Sequence, residues 1–350
     1  MTHYKLLVIG AGPIGLSVGI AAQKAGISYK IIDKGALVNS LYHFPTDMTF
    51  FSSSEKLEIG NLPFTSLSVR PTKQEGLEYY RRVAQHYDLS LGLYESFESV
   101  ERFRDVDGQM SFKLMTTKES YSCNYIVNAT GFYDTPVRLQ VPGEELPKVS
   151  HYFTTAHHLF GQKVAVIGGS NSAIDVALEA YRKGAEVTLL IRGKEISQHV
   201  KYWIRPDIEG RIAEGSIKVH YRATVLEIQE RQLVFQKNGE RIALENDFVY
   251  AMTGYHPNFT LSEKLGIEID AISGYPKYDT STMETTSPNV FLAGVVIGGL
   301  NTRQWFIENS KDHGDKIINH IMKKHEYERQ SSHNNRFQQR IGIDTCTTTS

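Results

Sequence analysis

The apolar run Leu6-Leu7-Val8-Ile9 meets the turn Gly10-Ala11-Gly12-Pro13-Ile14-Gly15, which leads without a break into a helix-like stretch from Leu16 to Ala25. Gly26 stops that stretch, and Tyr29-Lys30-Ile31-Ile32 forms a second apolar run ending at Asp33. Strand, turn, helix and strand within about 30 residues make a βαβ unit, whose parallel strands must be joined by a right-handed crossover. Each glycine has its own task. Gly10 permits the tight turn, Gly12 lets a pyrophosphate approach the backbone, and Gly15 lets helix and strand pack closely. Pro13 and Ile14 complete the turn, and the helix amino terminus presents free N–H groups and a partial positive charge to the phosphates. Asp33, 18 residues after Gly15, can accept hydrogen bonds from ribose hydroxyls.

The same grammar recurs in the middle of the chain. Lys163-Val164-Ala165-Val166-Ile167 leads into Gly168-Gly169-Ser170-Asn171-Ser172-Ala173, a helix runs through Arg182, Gly184 stops it, and Val187-Thr188-Leu189-Leu190-Ile191 follows. This second strand ends in Arg192-Gly193-Lys194 rather than in an acid. A cation there suits the 2′-phosphate of NADP, which a carboxylate would repel, so NADPH is favoured over NADH. Ser170 stands in the place of the middle glycine, which makes the approach to a pyrophosphate less close. A chain with two dinucleotide sites is read as one that passes electrons between two dinucleotides.

Length and charge bound the alternatives. At 350 residues the chain divides naturally into two domains, and 38 Lys and Arg against 39 Asp and Glu leave no global field to recruit nucleic acid or an anionic membrane. The apolar run at the amino terminus is too short for a signal peptide or a membrane span, so a cytoplasmic protein is expected. Cys123 and Cys346 are the only cysteines. They provide no Cys-x-x-Cys pair, zinc spacing or disulfide framework, and no metal site is expected.

Tyr125 to Gly131 and Phe248 to Gly254 are both strand-like runs ending in Thr-Gly, as in Thr130-Gly131, and each can mark a crossing between domains. Asn289 to Gly294 is a further strand ending in glycine, followed by a helix expected from about Thr302 to Lys323. The fold class is therefore α/β: two Rossmann-like dinucleotide-binding domains, the second inserted in the first. The expected boundaries are 1–133 with 255–325 for the first domain, 134–254 for the second, and 326–350 for a flexible tail.

The order of these motifs resembles the two-dinucleotide-binding flavoproteins, in their thioredoxin-reductase-like branch. Asn39 to Thr46, Phe50-Phe51-Ser52, Lys201-Tyr202-Trp203 and Trp305 to Asn309 further resemble the YpdA-type bacillithiol-disulfide reductases. The likeness covers about residues 4–323. It implies that the first module holds FAD and the inserted one NADPH, and that the chain is a homodimer or homotetramer. The Cys-x-x-Cys of thioredoxin reductases is missing, so the flavin itself must face the acceptor: a small disulfide, an iron–sulfur protein, a quinone or oxygen. Some relatives carry a cysteine in the first glycine loop, where this chain has Ile14.

The resemblance also nominates contacts. Lys34, Ser40, Tyr42, Phe51, Thr130, Gly131 and Gly294 join the first turn around FAD. Val295 replaces an aspartate that bonds the ribityl chain in thioredoxin reductases, and Gln304 and Trp305 place backbone N–H groups near the flavin pyrimidine. Lys194, Lys201 and Gly254 join the second turn around NADPH. Lys201 to Arg205 can close over the adenine and 2′-phosphate or receive an anionic substrate. Tyr42, Phe44, Phe50 and Phe51 wall the flavin or fill the core. His43, His256 and His313 are candidates for delivering a proton to a leaving thiolate. Cys123, ahead of an apolar strand, is structural rather than catalytic. The favoured reading is an NADPH-dependent FAD reductase of bacillithiol disulfide; the alternatives are a ferredoxin-NADP reductase of the same fold and a flavin-dependent monooxygenase.

Overall fold

The computed structural model describes residues 1–106 and 108–326; the expected tail from 327 onward, with Cys346, lies outside the described residues. The first unit forms β1 (Thr2–Ile9), α1 (Pro13–Lys24) and β2 (Tyr29–Ile32), with the strands parallel and Leu6 opposite Tyr29. Leu6, Leu7 and Val8 are wholly buried, the pattern of a parallel strand covered on both faces. The helix α2 (Lys73–His86) opens with a capping box, Thr72 and Glu75 each satisfying the other's amide.

β3 (Leu91–Gly92) lies beside β2, and β4 (Phe97–Arg104), β5 (Met110–Thr116) and β6 (Ser120–Asn128) form an antiparallel meander. β6 also lies parallel to β1, which gives the order β3-β2-β1-β6-β5-β4. The chain then leaves this sheet along 135–137, paired with the returning segment 253–256. Val137 N donates to the Gly254 carbonyl and His256 N to that of Thr135, both at 2.9 Å. Tyr133, Tyr152 and Tyr255 pack around the ribbon, with ring centroids 4.6 to 5.5 Å apart.

The second module contains β7 (Val149–Ser150), β8 (Lys163–Ile167), α3 (Asn171–Arg182), β9 (Glu186–Ile191), α4 (Arg205–Ala213) and β10 (Lys218–Tyr221). An antiparallel meander follows, β11 (Ala223–Ile228), β12 (Gln232–Lys237) and β13 (Glu240–Glu245), before β14 (Phe248–Ala251). The parallel sheet has the order β10-β9-β8-β14-β7, and Leu233 and Phe235 of the meander bury against Leu190 and Val249 of that sheet. β15 (Val290–Leu292) then rejoins the first sheet parallel to β6, so the second module is an insertion in the first. The last helix, α5 (313–326), starts eleven residues later than the expected Thr302 and seals the first core with Ile317, Ile318 and Ile321. Among the described residues no helix is long and apolar enough to cross a membrane.

Candidate functional site

The first glycine turn separates its glycines by what each avoids. Gly10 sits at φ +110° with the Ala129 carbonyl where a side chain would go, and a Cβ on Gly15 would run into the Gly10 carbonyl. The protein's own backbone demands both. Gly12 differs: its φ is −75° with an extended ψ, and a Cβ there meets nothing within 4 Å. No neighbour in the chain needs a glycine at that point, and the space before it is open to a group lying against the backbone. α1 begins there with no side-chain cap and no acid in its first turn, leaving its N–H groups for an anion.

Asp33 does more than its position suggested. Its Oδ2 accepts from Ala11 N at 2.7 Å and its Oδ1 from Gly35 N at 2.8 Å, so it ties the glycine turn to the end of β2. Burial lifts its carboxyl above the usual carboxylate range, and the two amides pull it partly back. Each oxygen keeps a lone pair for a ribose hydroxyl. Lys34 pairs with Asp134 at 3.0 Å. Thr130 donates from N and Oγ1 to Asn128 Oδ1, at 3.2 and 2.8 Å, and Gly131 faces Val295. Asn128, missed in sequence, is fully buried with its Nδ2 unpartnered among the described residues.

The second turn repeats the design with a change. Gly168, at φ +136°, lies against the Met252 carbonyl as Gly10 lies against that of Ala129, so each turn is seated on a strand ending in Thr-Gly. Gly169 presses on Ile191, and Ser170 precedes α3 without capping it. Ser172 and the buried Ala173 lie in the first turn of α3. The loop after β9 folds back on this turn: Ser197 N donates to the Gly169 carbonyl at 2.9 Å, and Lys201 N to Asn171 Oδ1 at 2.9 Å. Arg192 and Lys194 are exposed at the carboxyl end of β9 and make no ion pair among the described residues. Lys201, nominated for a nucleotide contact, pairs through its Nζ with Asp175, one turn into α3, at 3.0 Å. Gly254 sits in the returning crossing at φ +99°, with open space where a side chain would be.

The aromatic residues after β2 are not one cluster. Ser40 and Tyr42 share a one-turn helix, with Tyr42 exposed beside His43. Phe50 is buried against Gly76, Phe44 edges onto Tyr133 at 4.8 Å, and the exposed Phe51 reaches Trp203 of the second module at 5.2 Å. Gln304 and Trp305 open no helix, which corrects the expected helix start at about Thr302. Asn309 accepts from Phe306 N at 2.7 Å and donates to the Gln304 carbonyl at 2.9 Å, closing turns that compete with helical bonding. Trp305 packs edge-on to His313, with centroids 5.3 Å apart.

His313 is only 1% exposed, and its Nδ1 accepts the Gly294 amide at 3.1 Å. Gly294 in turn packs on Ile14 of the first glycine turn, so the ring fixes one wall of the site. Burial holds the imidazole neutral, with its pKa pushed down to about 4. Because the unfolded chain protonates His313 near its ordinary value of 6.5 and the folded chain resists to about 4, stability falls as pH drops through that interval, by about 3 kcal/mol in all. Melting curves from pH 7 to 4 should show this slope, and His313→Asn, whose Oδ1 can still accept the Gly294 amide, should flatten it. His256 is stacked on Phe259, its Nδ1 2.8 Å from the Pro257 carbonyl, while His43 is exposed.

Cys123 is fully buried in β6, and burial pushes its thiol well above the ordinary range. Cys123→Ser should leave steady-state turnover within about twofold and cost only about 1–2 kcal/mol of stability through its buried hydroxyl. A collapse of turnover in folded protein would restore a thiol relay.

Residues 7–294 match the model of the pyridine nucleotide-disulphide oxidoreductases. The chain is 43% identical over 326 residues to the bacilliredoxin reductase Bdr of Bacillus subtilis (strain 168), covering 93% of this chain and 99% of that protein. Among solved structures, the bacillithiol disulfide reductase Bdr (YpdA) from Bacillus cereus superposes with a TM-score of 0.89 at 44% identity, covering 92% of this chain and all of that one. The corresponding protein from Staphylococcus aureus gives a TM-score of 0.89 at 39% identity, covering 93% and 99%.

Proposed function

The chain belongs to the pyridine nucleotide-disulphide oxidoreductase family, and we propose that within it this enzyme carries electrons from NADPH through FAD to a low-molecular-weight disulfide, most specifically bacillithiol disulfide. Family membership makes it an oxidoreductase using a flavin and a nicotinamide nucleotide. The observation that carries the FAD assignment is Gly12, a glycine with open space before it at the uncapped start of α1. Its backbone, the N–H groups of Ile14 and Gly15, and Asp33 would hold an adenine dinucleotide. Ser170 to Ser172 would hold the second pyrophosphate, with Arg192 and Lys194 at the 2′-phosphate.

Bound together, the two cofactors supply hydride transfer and two-electron reduction. The net reaction consumes one disulfide, one NADPH and one proton and yields two thiols and NADP⁺. The chain's own part is positional: the two turns set the cofactors at the carboxyl ends of their sheets, and His313 fixes the Gly294 wall. The proton is assigned to His43, which is exposed. With no Cys-x-x-Cys and Cys123 sealed in β6, the disulfide meets the flavin without a thiol relay. The names of the two solved relatives point to bacillithiol disulfide and that of the Bacillus subtilis relative to bacilliredoxin, and the resemblance adds a homo-oligomer acting in the cytoplasm.

Stopped-flow mixing of the NADPH-reduced enzyme with bacillithiol disulfide, bacilliredoxin disulfide, ferredoxin and oxygen, followed by flavin absorbance, tests the reading. The expected result is fastest reoxidation by the small disulfide. Faster reoxidation by ferredoxin, or by oxygen with hydroxylated product, would replace it with one of the two alternatives.

A further inference from the structure

Where the two modules meet, a cleft of about 290 Å³ opens between the segment after β2 and the loop after β9. Its aromatic wall comes from both: the Trp203 ring lies 5.2 Å from that of Phe51 and 3.9 Å from the Arg70 guanidinium, with the exposed Tyr202 ring edge-on at 4.9 Å. Lys56 and Glu308 complete the polar lining. Arg70, Lys56 and Glu308 face one cleft, yet none makes an ion pair among the described residues, and Glu308 Oε2 is buried without a hydrogen-bond partner. Elsewhere in the second module, Arg182, Lys201 and Arg205 are each paired with a carboxylate. Charges held near one another in a partly enclosed space, and left unpaired, are matched by a ligand of opposite pattern.

Along the chain the cleft lies close to the Gly294 wall. Glu308 lies three residues beyond Trp305, which packs on His313, which holds the Gly294 amide. At this volume it admits one arm of a small molecule but no folded partner.

We propose that this cleft is the acceptor site, and that it takes a low-molecular-weight disulfide whose arm combines carboxylates, an amine and a saturated ring. Arg70 and Lys56 take the carboxylates, Glu308 takes the amine, and the ring lies on Trp203. The assignment rests on the disulfide-reductase reading above and names the part of the chain that selects the substrate.

The test uses the holoenzyme with two disulfides: bacillithiol disulfide, and dithiodisuccinate, which has carboxylates but no amine. Arg70→Ala combined with Lys56→Ala should raise KM for both at least about tenfold, leaving KM for NADPH and single-turnover flavin reduction unchanged. Arg70→Lys with Lys56→Arg, which conserves charge, should recover most of the loss. Glu308→Gln should raise KM for bacillithiol disulfide alone. A disulfide KM unmoved by the double alanine variant, or a KM for NADPH that rises in step, overturns the cleft assignment and leaves the disulfide reductase standing. A wild-type enzyme whose NADPH-reduced flavin is reoxidised by neither disulfide overturns the functional reading and the cleft with it.

Discussion

Gly12→Val should yield a folded protein that has lost its yellow cofactor. Valine adopts the backbone found there, and nothing within 4 Å obstructs its Cβ, so only the weaker helix start is lost, about 1 kcal/mol. The added methyl groups would instead occupy the space in front of the α1 amides. Losing one or two charge-assisted hydrogen bonds to a pyrophosphate costs about 3 kcal/mol, more than a hundredfold in FAD affinity. Flavin content after purification and FAD titration of the stripped protein read the effect. Gly15→Val is the contrast, because its Cβ would strike the Gly10 carbonyl and should prevent folding. A Gly12→Val protein that keeps FAD at wild-type affinity would remove the cofactor from this turn.

Arg192→Ala should raise KM for NADPH about ten- to a hundredfold while leaving KM for NADH nearly unchanged. The residue is exposed and free of ion pairs among the described residues, so its removal disturbs no packing. What it would lose is a charge-assisted contact to the 2′-phosphate, about 1.5–3 kcal/mol. Adding Lys194→Ala should deepen the effect and bring the two nucleotides toward equal use. An equal rise for both in the single variant would move the 2′-phosphate elsewhere.

The two βαβ units were legible because each is local. Strand, turn and crossover helix follow one another within about 30 residues, and glycine at Gly10, Gly15 and Gly168 answers to backbone collisions that any such unit creates. The return of β15 to β6 was legible from the interrupted order of motifs. The two antiparallel meanders were not, since strands such as Glu240–Glu245 are half polar and acquire their meaning only from the partner they bury against. The late start of α5 escaped for a related reason: Asn309 redirects two backbone groups, a choice that composition between 302 and 312 does not announce. The ion pair of Lys201 was not legible because its partner, Asp175, lies 26 residues away on α3. The junction cleft draws on Phe51, Arg70, Trp203 and Glu308, four places that only the closed fold brings together.

The paired crossing at 135–137 and 253–256 bears on how such a chain can be rebuilt. Its two hydrogen-bonded stretches enter and leave the first module side by side, one strand spacing of about 5 Å apart. The host sheet therefore places a single short distance constraint on whatever it carries. A foreign nicotinamide module whose ends lie equally close should be transplantable at Val137 and Thr253 without disturbing the first core, giving chimeras in which coenzyme choice travels together with the Tyr202 and Trp203 side of the junction cleft.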